Sequence, residues 1–184
     1  MPRNLELKAF LHSRQRAEAV AKSLGAEFKG TLKQVDVYYR IPHGRLKMRS
    51  IEGGCHEMIY YVRPNRSGGR FSDYTVVPLR QPRVVARVFE QLYGIRTIVR
   101  KHRRLYLYKN ARIHLDSVRE LGDFLEFEVM VVRGVRQAGA LLRQLTNAFG
   151  IRPSMRIASS YSDLMDAQQR SRRKTIARDK KVSP

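Results

Sequence analysis

Asn4-Leu5-Glu6-Leu7-Lys8 reads as a β-strand whose two faces differ in kind. Side chains alternate across a strand, so Asn4, Glu6 and Lys8 share one face while Leu5, Leu7 and Ala9 share the other. The pattern recurs. Arg45, Lys47 and Arg49 alternate with Leu46 and Met48; Arg112, His114 and Asp116 alternate with Ile113 and Leu115; Glu126 and Glu128 oppose Leu125, Phe127 and Val129. Strands that pair an apolar face with a face of mixed charge suggest a closed sheet around a wet, charged lumen, its outside covered by apolar packing. A lumen holding both carboxylates and cations suits a metal ion held against linked phosphates.

Spacing predicts three helices for that outer layer. Ser13 caps one carrying Ala17, Val20, Ala21 and Leu24, which Gly25 ends. Pro82 opens a second, with Val85, Val88, Phe89 and Leu92 on one stripe and Gly94 at its end. Ala138, Leu141, Leu142, Leu145 and Phe149 mark a third, ended by Gly150. Between them fall strand-like segments at about 3–11, 33–41, 45–51, 57–63, 70–78, 96–108, 111–117 and 124–132. His43-Gly44, Gly53-Gly54, Ser67-Gly68-Gly69 and Asn110 provide turns between them. The expected fold is α+β, mainly β: a closed antiparallel β-barrel, or tunnel, of about eight strands with amphipathic helices packed outside. A tunnel domain is expected over 1–169, with a helix beginning at 161–169 and a basic flexible tail over 170–184.

Composition narrows the function classes. The chain has 184 residues, 42% of them hydrophobic, so it can bury a core and is not a disordered polycation. No apolar run approaches the roughly 20 residues of a membrane span. Met1-Pro2-Arg3 leads straight into the first strand, so no signal or transit peptide is expected. Cys55 is the only cysteine, which rules out an intrachain disulfide or a thiolate zinc cluster. A reducing compartment fits, cytoplasmic by default, with an organellar matrix left open. The net charge of +21 implies a polyanionic partner. Seven cations from Arg170 onward face only Asp179, so the preceding chain still carries +15. Either the interior or a broad surface must hold that excess.

Asn-Leu-Glu-Leu-Lys resembles the Glu-x-Glu-x-Lys signature of CYTH domains, also called triphosphate tunnel metalloenzymes. Further segments resemble the family in order: Gly44–Arg49 its second basic strand, Arg100–Arg104 its central basic strand, Arg112–Asp116 and Leu121–Glu128 its late acidic strands, and Ser160–Leu164 its closing Ser-Tyr motif. The resemblance spans about 3–165 and is nearest the class IV adenylyl cyclase-like branch; thiamine triphosphatases are relatives. It implies divalent-metal-dependent processing of a triphosphate, by hydrolysis of an organic or inorganic triphosphate or by cyclisation of ATP to cyclic AMP. Asn4 departs from the signature, since an amide oxygen can coordinate a hard cation but brings no charge.

Carried onto this sequence, the resemblance makes Glu6, Lys8, Lys101 and Arg103 candidate catalytic residues, and Glu6, Asp116, Glu126 and Glu128 candidate ligands of Mg²⁺ or Mn²⁺. Lys47, Arg49, Arg63, Arg45 and Arg112 become candidates for holding phosphate, through the guanidinium fork or the compact ammonium. Tyr161, with Tyr60, Tyr61 and Tyr74, could bound a base or thiamine ring, or simply pack the wall. The plainer alternative for the carboxylates is internal ion pairing with lumen cations, and for the cations a solvated face. His114 is either a general base near Asp116 or a structural histidine. Arg100, His102 and Arg104 lie opposite Lys101 and Arg103 on their strand, so one set must face outward. A rival function is nucleic-acid binding by a catalytically silent tunnel, such as a ribonucleoprotein component, through that outer basic face and the tail 170–184.

Overall fold

Alternating sequence produces eight strands: β1 (Arg3–Phe10), β2 (Glu27–Tyr39), β3 (Arg45–Ile51), β4 (His56–Val62), β5 (Arg70–Pro78), β6 (Ile95–Tyr108), β7 (Ala111–Val118) and β8 (Gly122–Met130). The computed structural model describes residues 3–63 and 69–182, so the turn expected at Ser67-Gly68-Gly69 falls largely outside the described residues. The strands close into a barrel in the order β1-β5-β4-β3-β2-β6-β7-β8, every neighbour antiparallel, with β8 returning to β1. Register sets opposite charges across from one another. Lys8 faces Glu126 on β8, Asp36 faces Arg49 on β3, and Arg103 faces Asp116 on β7. Such cross-strand pairs stabilise a register, and a one-residue slip would turn every charge into the apolar outer layer.

β2 begins at Glu27, six residues before the strand expected from the residue pattern. A register shift between Phe28 and Gly30 carries it through, and Gly30 has φ +117, a conformation open to glycine.

Among the described residues four α-helices accompany the barrel: α1 (Arg14–Ser23), α2 (Pro82–Tyr93), α3 (Val135–Ala148) and α4 (Tyr161–Val182). The Ser13 hydroxyl accepts from the Arg16 N–H and caps α1 as expected. α1 and α3 cover the outward faces of β1, β7 and β8, where Leu5, Leu7, Ile113, Leu115, Leu125, Phe127, Val129 and Leu145 are buried together. α2 lies over Tyr39, Met48 and Met58 through Val85, Ala86 and Phe89. Its expected stripe is only half used, because Val88 and Leu92 are exposed. α4 also departs from expectation. Expected to begin at 161–169, the helix continues to Val182. Residues 161–182 contain no Gly or Pro and are rich in Arg, Lys, Gln and Ala, all compatible with a helix interior. Gln168 and Arg172 also bond Glu120 at the β7–β8 turn, at 2.8 and 3.1 Å.

Candidate functional site

The charged strand faces point inward. Eight cations (Lys8, Lys47, Arg49, Arg63, Arg70, Lys101, Arg103, Arg112) and six carboxylates (Glu6, Asp36, Glu57, Asp116, Glu126, Glu128) lie in or just behind the tunnel wall. The described interior therefore holds only two of the net positive charges; the rest of the excess belongs elsewhere on the chain. The enclosed cavity is about 250 Å³. Its two ends differ. At one, the first turn of α4 closes the barrel with Ser160 and Tyr161, beside the buried Lys8 and Lys101. Toward the other, Glu57, Arg112 and Glu128 are half-buried and Val76 is exposed.

Three networks organise the wall. Asp36 on β2, wholly buried, accepts from Lys47 at 3.0 Å, from Arg49 at 2.8 and 3.1 Å, and from Lys101 at 3.3 Å. Asp116 receives both guanidinium arms of Arg103, at 2.7 and 2.6 Å, and the Tyr161 hydroxyl at 2.8 Å. Arg103 reaches on to Glu126 at 3.0 Å. Glu6 accepts from Arg63 at 2.8 Å, with Arg70 3.9 Å away. Tyr161 also lies beneath the Lys8 ammonium, 3.5 Å from its ring centroid, a cation–π contact that holds the lysine without neutralising it.

Proton affinities follow from this crowding. Burial alone would raise the Asp36 carboxyl, but Arg49, Lys47 and Lys101 outweigh it and hold the group well below the ordinary range. Asp116 is likewise buried, yet Arg103 and Lys101 bring it down to about 2. Glu126 is held well below normal against the same burial, chiefly by Lys8 and by contact with His114, whereas burial pushes Glu6 up despite Arg63. Lysines go the other way. Burial and neighbouring cations lower Lys8 to about 8 and Lys47 to about 7. Burial and then Arg103 lower His114, so its imidazole is neutral at pH 7.

The donor set fits a divalent cation on one side and an anion on the other. Glu126 and Glu128 place carboxylate oxygens near the His114 ring, all within 4.8 Å of one another. The buried Asn4 Oδ1 lines the same tunnel and has no partner among the described residues. Conversely, Arg63 spends one arm on Glu6 and leaves Nε and Nη2 without an acceptor among the described residues. Orphaned buried acceptors and donors in one cavity are costly unless a ligand engages them.

The tunnel brings together Glu6, Lys8, Lys47, Arg49, Arg63, Lys101, Arg103, Arg112, Glu126, Glu128 and Tyr161. Arg45 is not with them. It sits where β3 begins, at the rim under α4, bonded to Asp163 at 2.9 Å. Asp116 does not line the cavity itself; behind the wall it accepts from Arg103 and from the Tyr161 hydroxyl. Tyr61 and Tyr74 line the tunnel; Tyr60 does not, and its ring abuts Gly44. Lys101 and Arg103 take the inner face of β6, leaving Arg100 and His102 exposed outside, while Arg104 pairs with Glu18 at 2.9 Å. Two inner residues escaped the reading of the sequence. Asp36 sits between Val35 and Val37 and belongs to no motif, though alternation with Gln34 and Tyr38 already put it on the polar face. Arg70 stands alone at the start of β5.

The family model for the CYTH domain matches residues 2–147. Among solved structures, the chain is similar to the PH1012 protein of Pyrococcus horikoshii OT3, with 22% identity and a TM-score of 0.80 over 88% of this chain and 98% of that one. A candidate adenylate cyclase from Vibrio parahaemolyticus matches at 17% identity and TM-score 0.72, covering 89% of this chain and 97% of its own. HpAC1 from Hippeastrum, a candidate adenylyl cyclase described as revealing a dominant triphosphatase activity, matches at 12% and 0.66, covering 91% and 96%. At these identities the likeness concerns the fold. No curated protein matches the sequence.

Proposed function

Because the chain belongs to the CYTH domain family, we propose that its tunnel takes in a triphosphate, terminal phosphate first, and hydrolyses it with the help of Mg²⁺ or Mn²⁺. The observation that carries this reading is a cavity, lined at one end by the first turn of α4, that offers buried donors and buried acceptors to the same ligand. At about 250 Å³ it falls below the usual range for a whole drug-sized ligand, so it suits a phosphate chain with any organic end left at the mouth.

Lys8, Lys47 and Lys101 cluster toward the α4 end, where they attract the terminal phosphate and stabilise charge on its oxygens as the phosphorus reacts. Arg49 and Arg103 are fixed by Asp36 and Asp116, so their guanidinium groups keep their places while the substrate reacts. Arg63 offers the middle of the phosphate chain its Nε and Nη2, which have no acceptor among the described residues, and Arg112 guards the mouth. Glu126 and Glu128 hold the cation, flanked by Glu6 and Asn4. When bound, the ion neutralises part of the phosphate charge and aligns the reacting phosphorus.

Incubating the purified chain with ATP, thiamine triphosphate or tripolyphosphate, with and without Mg²⁺ or Mn²⁺, tests the reading. Metal-dependent release of orthophosphate is expected. Cyclic AMP with pyrophosphate would replace hydrolysis by cyclisation, and no product from any combination would refute triphosphate processing.

The outer wall supports a second, separate property. Arg100 and His102 are exposed, Lys33 faces His102 across β2 and β6, and the tunnel accounts for little of the +21 charge. Contact with RNA phosphates through this wall and α4 would give retention that falls steeply with salt. Retention unchanged between about 50 and 200 mM salt would exclude it.

A further inference from the structure

His114 lies in the middle of β7, 3% exposed, on the inward side with Arg112 and Asp116. Its Nδ1 is 3.8 Å from Glu126 Oε2 and 3.8 Å from Glu128 Oε1. Both separations are too long for hydrogen bonds, and the buried nitrogen has no partner among the described residues. A satisfied structural histidine would have one. The three ligand atoms all lie within 4.8 Å of one another. Water does not reach the nitrogen, but an ion with bonds of about 2.1 Å can bridge either 3.8 Å separation between His114 Nδ1 and a glutamate oxygen.

We propose that His114 Nδ1 is a direct ligand of the divalent cation shared with Glu126 and Glu128, making this a mixed nitrogen–oxygen seat for a first-row transition ion such as Mn²⁺ in preference to Mg²⁺. The inference rests on the metal-assisted reading above and narrows its cation. Glu126 and Glu128 bring the negative charge, which Arg103 shares at 3.0 Å from Glu126 Oε2, and imidazole nitrogen suits transition ions better than Mg²⁺, which keeps oxygen ligands. Register places the three donors together: His114 is directly opposite Glu126, and Glu128, opposite Arg112, is two pairs further along on the same face.

Electron spin-echo modulation on the full chain loaded with Mn²⁺, with and without pyrophosphate, reads the ligand set directly. Nitrogen modulation is expected in the unaltered chain; labelling only histidine with ¹⁵N changes its frequency, and His114→Gln abolishes it. The same substitution should lower the preference for Mn²⁺ over Mg²⁺ at least about tenfold in competition titrations. Bound Mn²⁺ without nitrogen modulation, or a modulation indifferent to histidine labelling, would overturn ligation by His114 while leaving metal-assisted hydrolysis standing. Failure to bind Mn²⁺ under either condition would also overturn it. Nitrogen-coupled Mn²⁺ in a chain that turns over no triphosphate would sink the hydrolase reading alone.

Discussion

Asp36 anchors three of the cations assigned to phosphate, since Lys47, Arg49 and Lys101 share its two oxygens. Removing one partner of a buried ionic cluster leaves the others uncompensated, which typically costs 3–5 kcal/mol. Asp36→Asn should therefore destabilise the chain by about that much in urea unfolding, and tripolyphosphate should recover part of the loss by supplying negative charge. Unchanged stability would mean that the three cations do not depend on this carboxylate. Lys47 yields a second prediction. Its affinity for a proton is lowered to about 7, so at pH 8 most chains carry it neutral. A phosphate placed beside it favours the charged form, so binding takes up close to one proton. Calorimetry in buffers of different ionisation enthalpy should detect the uptake, and Lys47→Met should reduce it, leaving the part that Lys8, lowered to about 8, contributes. Glu6, Lys8, Lys47 and Glu126 were legible because each repeats a period of two. Asp36 was hidden by its apolar neighbours. Arg45 obeys the same period as Lys47, yet it misses the tunnel because it stands at the end of β3, where Asp163 reaches it.

α4 closes the barrel through a reciprocal cap: the Asp163 N–H donates to Ser160 Oγ at 3.2 Å, and the Ser160 N–H donates to Asp163 Oδ2 at 3.1 Å. Asp163 also binds Arg45 at 2.9 Å and Arg96 at 2.8 Å, so one carboxylate joins β3, β6 and α4. Asp163→Ala should lose roughly 1–3 kcal/mol, measurable by denaturant titration. A change below about 0.5 kcal/mol would show that the helix is seated by its apolar contacts instead. The Ser-Tyr motif was visible in sequence, but the length of α4 was not. Its charged C-terminal half shows no apolar period from which a buried helix face could be inferred. α2 errs in the opposite direction, having more apolar period than burial. Leu92 is 68% exposed, so Leu92→Glu should alter stability by no more than about 0.5 kcal/mol.

Across the molecule, buried carboxylates couple stability to acid. Asp116 is brought down to about 2, and Asp36, Glu126 and Glu128 are also below their ordinary values. Depressed carboxylates contribute stability that is complete above their unfolded values near 4 and is lost as pH falls through the folded ones. Glu6, raised by burial, opposes this with the reverse sign. Asp116 alone accounts for about 2 kcal/mol, so the melting temperature should fall steadily between about pH 4 and 2. A flat profile there would contradict the ionic wall. Barrel closure follows from the periodic strands, and the inward charges follow from closure, which is why one short stretch near the N-terminus foretells so much of the architecture. Turn conformations and the depth of each residue depend on long-range register and could not be read locally. The decisive measurement is anomalous diffraction at the manganese edge from crystals grown with Mn²⁺ and a non-hydrolysable triphosphate. The account predicts a manganese peak inside the barrel against Glu126 and Glu128, with phosphate density reaching toward Lys8, Lys47 and Lys101. Manganese and phosphate found only on the outer wall would contradict it.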